Sequence, residues 1–300
     1  MAFANQRKTK RTSEADLQGV TSRGERKLGI IAGAGPFPGY VISRCEAGEI
    51  PYFVLALKGF ADPDAVAQAP HGWSRLGGGG RSLRLMREAG VDDIAVIGNI
   101  RRPPLLSFWP DLVMLGAMMR IGWRALRGGD DALIKAIIPE VEGRGFTVIA
   151  IQDLLPELLA GEGLFGRCQP DQLARTDIDI GVEAAREVGR RDVGQGAVVE
   201  GGRVLAREDA KGTDVMLARV ATMPERNGPG GVLIKVLKPG QQRKVDLPTI
   251  GVRTVEAAAS AGLRGIAIEA GSAIVVDREA VAEAADEAGL FVIGIKVGQA

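Results

Sequence analysis

The chain has 300 residues, 46% of them apolar and 25% charged, with a formal net charge of +1. That length buries a full core in one large or two smaller domains. The balanced charge excludes a general pull toward nucleic acid or an anionic surface, so any bound anion must be held by local geometry. Cys45 and Cys168 are too few and too far apart for a disulfide framework or a thiolate metal site, which fits a reducing cytosol.

Met1 to Arg26 is polar and basic without a periodic apolar face, so residues 1–26 read as a disordered tail rather than a secretory signal. Leu28 to Ala32 is a short apolar run entering Gly33-Ala34-Gly35-Pro36, the pattern of a buried strand running into a turn. Helical spacing follows over Tyr40 to Ala47, then a strand over Tyr52 to Leu57. His71, the sole histidine, sits between Pro70 and Gly72 and reads as a loop or surface residue. One histidine rules out multi-histidine zinc sites in a single chain, so any metal here takes oxygen ligands, which favours magnesium or manganese.

A helix is expected over Leu83 to Ala89 and a buried strand over Ile94 to Ile97, stopped by Gly98-Asn99. The apolar stretch Leu105 to Trp123 carries Pro110, Asp111 and Arg120, which argue against a spanning helix. It reads as core or interface, with an acyl-chain or membrane-facing role as the other reading. Asp130 to Val141 reads as a helix and Phe146 to Ile151 as a strand. Strands alternating with helices argue for a parallel sheet covered on both faces.

Residues 155–171, rich in Gly and Pro, read as an inter-domain connection. Beyond them, Gly196 to Glu200 and Arg203 to Arg207 flank Gly201-Gly202, a two-residue hairpin signal. Helices are expected over Thr213 to Ala221, Thr254 to Ala261 and Asp277 to Ala288. Strands are expected over Gly231 to Val236, Gly265 to Ile268, Ala273 to Val276 and Phe291 to Ile295. Two α/β domains result, with boundaries expected at 27–158 and 165–300.

Four segments carry candidate chemistry. Gly33 and Gly35 let the backbone approach a phosphate at a helix N-terminus, or simply form a tight turn. The strand after them runs into Lys58-Gly59-Phe60 without the ribose-binding acid of a dinucleotide fold. Asn99 and Arg102 stand at a strand's carboxyl end, where ligands collect, although paired loop arginines are commonly just solvated. Gln195, Glu208, Thr213 and Asp214 lie in D-V-G-Q-G and E-D-A-K-G-T-D, where oxygens could converge on a hard cation. A first-turn Asp214 beside Thr213 could equally serve the helix dipole and cap. Lys235, Lys238, Asp246 and Thr249 could neutralise phosphate and complete a metal site, or form an exposed basic turn.

Taken in order, LGIIAGAGPFP, IGNIRRP, GGDDALI, DVGQGAVV, GTDVML, KVLKPGQQRKVDLPTIGV and VVDREAVAEAADEAGLFVIGI resemble the LpxI family of UDP-2,3-diacylglucosamine pyrophosphatases. The resemblance runs from Lys27 to Gly298. It implies a Rossmann-like parallel-sheet domain followed by a second α/β domain, with the lipid held between them. It also implies hydrolysis to UMP and 2,3-diacylglucosamine 1-phosphate, with water attacking the phosphorus nearer uridine. A divalent cation, Mg2+ or Mn2+, is required in the family, which acts at the inner face of the cytoplasmic membrane. The expected partners are thus the lipid-linked nucleotide and the membrane, with no nucleic acid and a homodimer as the default assembly.

The family's catalytic aspartate falls in its G-T-D motif, which matches Asp214. The mechanism expected from this is a metal held by Asp214, with Glu208 and Asp246 as further ligands. Gly33, Gly35, Asn99, Arg102, Gln195, Thr213 and Thr249 would bind substrate, while Lys235 and Lys238 offset developing charge. One departure stands out: the family commonly reads E-G-T-D where this chain has Lys211-Gly212-Thr213-Asp214. A non-catalytic nucleotide-sugar or lipid-binding protein is one alternative; a nicotinamide-dependent oxidoreductase, weakened by the missing ribose acid, is another.

Overall fold

A computed structural model of the protein describes residues 26–100, 109–121, 137–191, 193–224, 230–238 and 247–298. The first half is built on β1 (Leu28–Ala32), β2 (Tyr52–Leu57), β3 (His71–Ser74), β4 (Asp93–Ile97) and β5 (Thr147–Val148). They form a parallel sheet in the order β3-β2-β1-β4-β5. Strand order therefore reverses between β1 and β4, the switch point where doubly wound folds place their ligand crevice. The central strands are buried almost throughout, as a sheet covered on both faces requires. Its connections run through α1 (Phe37–Ala47), the short α2 (Pro63–Val66), α3 (Gly79–Glu88) and α4 (Leu112–Ile121), with residues 137–142 also helical.

Several expectations shift here. Arg26, the last residue of the expected tail, donates through Nε and Nη2 to the buried carboxylate of Asp93, at 3.0 and 2.7 Å. The rest of that tail lies outside the described residues, as do Arg102, Asp246 and the start of the helix expected from Asp130. His71 opens β3, an edge strand, instead of a loop, and its ring is exposed. The α3 helix starts at Gly79, inside the glycine run. The expected strand to Ile151 is the two-residue β5 followed by α5 (Ile151–Leu154), because β5 pairs only with the first two residues of β4.

The second half centres on β9 (Val232–Lys235), β11 (Gly265–Glu269) and β13 (Phe291–Ile295), which run parallel. The mixed sheet has the order β6-β13-β11-β9-β7-β8. Its edges are β6 (Gly163–Leu164), inside the connection expected to be loop, and the hairpin β7 (Gly196–Glu200) with β8 (Arg203–Arg207). Gly201 and Gly202 both take positive φ, 57° and 78°, as the hairpin turn requires. A parallel pair, β10 (Thr249–Ile250) with β12 (Ile274–Val275), stands apart. Leu247 and Ile274 join the apolar cluster of the first half, together with α1 residues Val41 and Ile42. The two halves thus meet across this small sheet.

The 19-residue α6 (Gln172–Arg190) went unforeseen. Asp171 caps it by accepting from the Ala174 N–H at 2.8 Å. Inside it, the buried Asp177 accepts from the N–H groups of Gly201 and Gly202, fixing the hairpin turn. Gly181 lets α6 press on the sheet, for a Cβ there would lie 2.2 Å from Ile234 Cδ1. The described residues of this half also form α7 (Thr213–Ala221), α8 (Val252–Ser260) and α9 (Arg278–Glu287). Gly181→Val is expected to lower stability by about 2–3 kcal/mol, since Ile234 is fully buried and the backbone must move apart. Thermal denaturation matching wild type would disprove that close approach.

Candidate functional site

The carboxyl end of β9 lies beside the segments that open α7 and α8. Lys235 ends β9, and β7 begins opposite it, with Gly196 paired to Lys235. That pairing brings D-V-G-Q-G beside E-D-A-K-G-T-D, since the Glu208 N–H donates to the Gly196 carbonyl at 2.9 Å. Glu208 itself turns inward and is 8% exposed. One carboxylate oxygen accepts from the Gln195 N–H at 2.8 Å, and the other from the Thr213 hydroxyl.

Burial opposes ionisation of Glu208, but Lys235, the Thr213 and Gln195 donors and Lys238 outweigh it. Its carboxyl is therefore held below the ordinary glutamate range. Lys235, 5% exposed, also donates from Nζ to the Thr249 carbonyl at 3.3 Å. The neighbouring chain is anchored too: the Leu237 N–H donates to Glu269 at the end of β11, at 2.9 Å.

Asp214 is different. It occupies the first turn of α7, and its side chain is 71% exposed, with Arg253 of α8 at 3.9 Å. Gly212 precedes the helix at φ 87°, a conformation that favours glycine, and no side chain caps the turn. Lys211 is exposed, and its N–H donates to Asp209. The first turns of α7 and α8, with Arg253, thus meet at one outward-facing carboxylate, an arrangement suited to a polyanion.

Among the described residues no three His, Cys, Asp or Glu side chains gather into a metal cluster. Magnesium needs only one or two protein carboxylates when substrate phosphates supply the remaining ligands. Asp214 fits that role. Glu208 does not, because both oxygens are engaged within the protein and two lysines already balance its charge. Asp246 lies outside the described residues.

The structure brings Gln195, Glu208, Thr213, Lys235, Lys238 and Thr249 into one neighbourhood, with Asp214 at its rim. Gln195 Oε1 is buried and has no hydrogen-bond partner among the described residues. Gly33, Gly35 and Asn99 belong to the other half. Ala34 and Asn99 exchange backbone hydrogen bonds at 2.8 and 2.9 Å, so the loops after β1 and β4 are joined across the switch point. A Cβ on Gly33 would meet the Asn99 carbonyl at 2.8 Å, so this glycine serves chain-to-chain contact. Gly35, at φ 96° with open space around it, remains accessible.

Leu237, next to Lys238, packs in the same cluster as Phe37 and Tyr40 of α1. The glycine loop and the lysine segment therefore flank one seam. Arg253 and Glu269 escaped the sequence reading; the only cue for Arg253 was a cation just beyond Thr249-Ile250-Gly251.

The family model described as the LpxI N-terminal domain matches residues 27–158, and that of the LpxI C-terminal domain matches residues 161–293. The chain belongs to the LpxI family. It is 43% identical over 275 residues to the UDP-2,3-diacylglucosamine pyrophosphatase LpxI of Caulobacter vibrioides, covering 90% of this chain and 98% of that protein. Membership of the LpxI family agrees with the two α/β halves.

Glu208→Gln should keep its shape but lose the charge that holds Thr213, Gln195 and Lys235, lowering stability at neutral pH by about 2–3 kcal/mol. With a folded value below the unfolded one, the stabilisation from Glu208 is complete above the ordinary value of 4.5 and fades as pH falls through the lowered one. Melting temperature below about pH 4.5 should therefore fall less steeply in this variant than in wild type. An unchanged acid limb would remove Glu208 from this role.

Proposed function

We propose that this chain hydrolyses the pyrophosphate of UDP-2,3-diacylglucosamine to UMP and 2,3-diacylglucosamine 1-phosphate, a step of lipid A biosynthesis. The observation that carries this reading is the near full-length correspondence with a UDP-2,3-diacylglucosamine pyrophosphatase. The geometry supports it: an outward carboxylate facing Arg253 at the start of two helices, with Lys235 and Lys238 in the wall behind beside Glu208, suits a pyrophosphate. A nicotinamide role finds no support at the switch point, where Ala34 and Asn99 are bonded backbone to backbone.

In the proposed reaction a water oxygen bonds to the phosphorus nearer uridine. The bridging P–O bond breaks, and its electron pair leaves on the sugar 1-phosphate. Asp214 would hold Mg2+ or Mn2+ together with oxygens of the substrate. A cation held there would neutralise phosphate charge and supply Lewis acidity for the attack of water. Lys235 and Lys238 offset charge on the phosphates, and N–H groups of the first turn of α7 donate to their oxygens. Thr213 is held by Glu208, which fixes the start of α7 and so the direction of Asp214. Gly35 and Thr249 border the seam where the nucleotide or sugar would lie. Work at the inner face of the cytoplasmic membrane follows from the two acyl chains of such a substrate.

Incubation with UDP-2,3-diacylglucosamine and magnesium in water enriched in heavy oxygen should give UMP carrying the label, lost on chelation. Label on the sugar phosphate would place the attack on the other phosphorus, and absence of product with any divalent cation would remove the activity. Asp214→Ala should reduce turnover by at least about 100-fold with substrate affinity retained. Near wild-type turnover would show that Asp214 only serves the helix dipole.

A further inference from the structure

The α4 helix presents an apolar ridge to solvent. Leu112 is 87% exposed, Met119 73%, and Trp109 just before the helix 72%. Leu115 is exposed as well, and at 100° per residue Leu112, Leu115 and Met119 share one face. The helix is docked at its start, where Asp111 accepts from the N–H groups of Gly80 and Met114 at 2.7 and 2.8 Å. The exposed ridge thus belongs to an anchored helix.

Beside the ridge, between α3 and α4, lies a cleft of about 610 Å3 whose lining includes Arg84, Arg87, Arg120 and Arg144. Glu88 lines it too, and Glu140 accepts from both Arg120 and Arg144. Four guanidiniums therefore face two carboxylates. Arg84 and Arg87 pair with no carboxylate among the described residues. This cationic excess stands out in a chain with a net charge of only +1.

We propose that this face of α4 docks on an anionic phospholipid surface, with the ridge at the acyl boundary and the arginines on the headgroups. The identification of a lipid surface rests in part on the proposed function, whose substrate carries two acyl chains. Amphipathic helices with large apolar side chains on one face and cations beside them lie in the membrane interface, and tryptophan favours that level. At ten residues α4 is about 15 Å long, and no described helix is long and apolar enough to cross a membrane. Lying on the surface is the geometry left to it. A second copy of the chain is a poorer occupant, because two-fold docking through this ridge would bring like-charged arginine clefts toward each other.

Flotation of the full chain with phosphatidylethanolamine–phosphatidylglycerol vesicles tests the proposal. Wild type should float with them, stay behind with phosphatidylcholine alone, and be released at high salt. Arg84→Glu with Arg87→Glu, and separately Leu112→Ser with Met119→Ser, should each cut partitioning at least about tenfold. Both variants should melt like wild type and hydrolyse detergent-dispersed UDP-2,3-diacylglucosamine at the wild-type rate. Wild type left in solution with anionic vesicles, or variants that float equally well, would overturn the proposal. So would a sedimenting dimer that Leu112→Ser with Met119→Ser converts to monomer. Flotation without hydrolysis would instead sink the proposed reaction and leave the docking surface standing.

Discussion

One buried carboxylate organises the candidate site. Glu208 accepts from Gln195 on one side and Thr213 on the other, and faces Lys235 across the end of β9. Three stretches distant in sequence are tied to that group. A buried carboxylate without donors or counter-charge would be costly, as would a buried ammonium alone. Glu208 and Lys235 compensate each other, so the site keeps a cation in its wall without exposing a long mobile lysine. The chain around them is shaped to pass close by: a Cβ on Gly194 would lie 2.8 Å from the Glu208 carbonyl oxygen, and one on Gly196 3.3 Å from its carboxylate. The glycines of D-V-G-Q-G make room for the glutamate.

Glycines elsewhere follow the same logic. Gly33 and Gly98 permit the loops after β1 and β4 to touch, with a Cβ on Gly98 falling 2.7 Å from the Ala34 carbonyl. Sequence reading took the glycine loop for a phosphate cradle or a tight turn, and the structure divides it. Gly33 is committed to the protein, and Gly35 is left open. Closure of the switch point has a consequence for ligand placement. The small sheet of β10 and β12 packs its cluster against α1 and the first domain, so the seam between halves is the remaining place where both could meet one ligand.

Much of this architecture was legible because the strands announce themselves. Leu28–Ala32, Tyr52–Leu57 and Phe291–Ile295 are short apolar runs bounded by turn residues, and the Gly201-Gly202 hairpin follows from its φ demands. The α6 helix was hidden by what makes it useful. Asp177 and Gly181, which look like loop residues, are there to hold the hairpin turn and to admit Ile234. The β3 strand, H-G-W-S, has no β-branched residue, and pairing with β2 alone makes it a strand. At the candidate site, the motifs mark segments but carry no information on how their side chains point. Glu208 and Asp214 look alike on paper, six positions apart. A strand's end directs the first inward to lysine, and a helix's first turn directs the second out to solvent.

That difference in direction bears on the departure at Lys211. A cation bound with a pyrophosphate needs few protein oxygens, since the phosphates bring their own. A side chain at the helix entrance then matters mainly through the field it adds. Lys211 is exposed, and the Asp209 carboxylate accepts from its backbone N–H, an arrangement any residue could satisfy there. Exchanging glutamate for lysine at this point leaves the Glu208 node intact. It makes the approach more positive, which favours an anionic substrate and disfavours a free divalent cation. A cation arriving already bound to the phosphates would meet less of that barrier than one arriving alone. The departure is thus compatible with metal-assisted hydrolysis, provided the substrate carries the metal in.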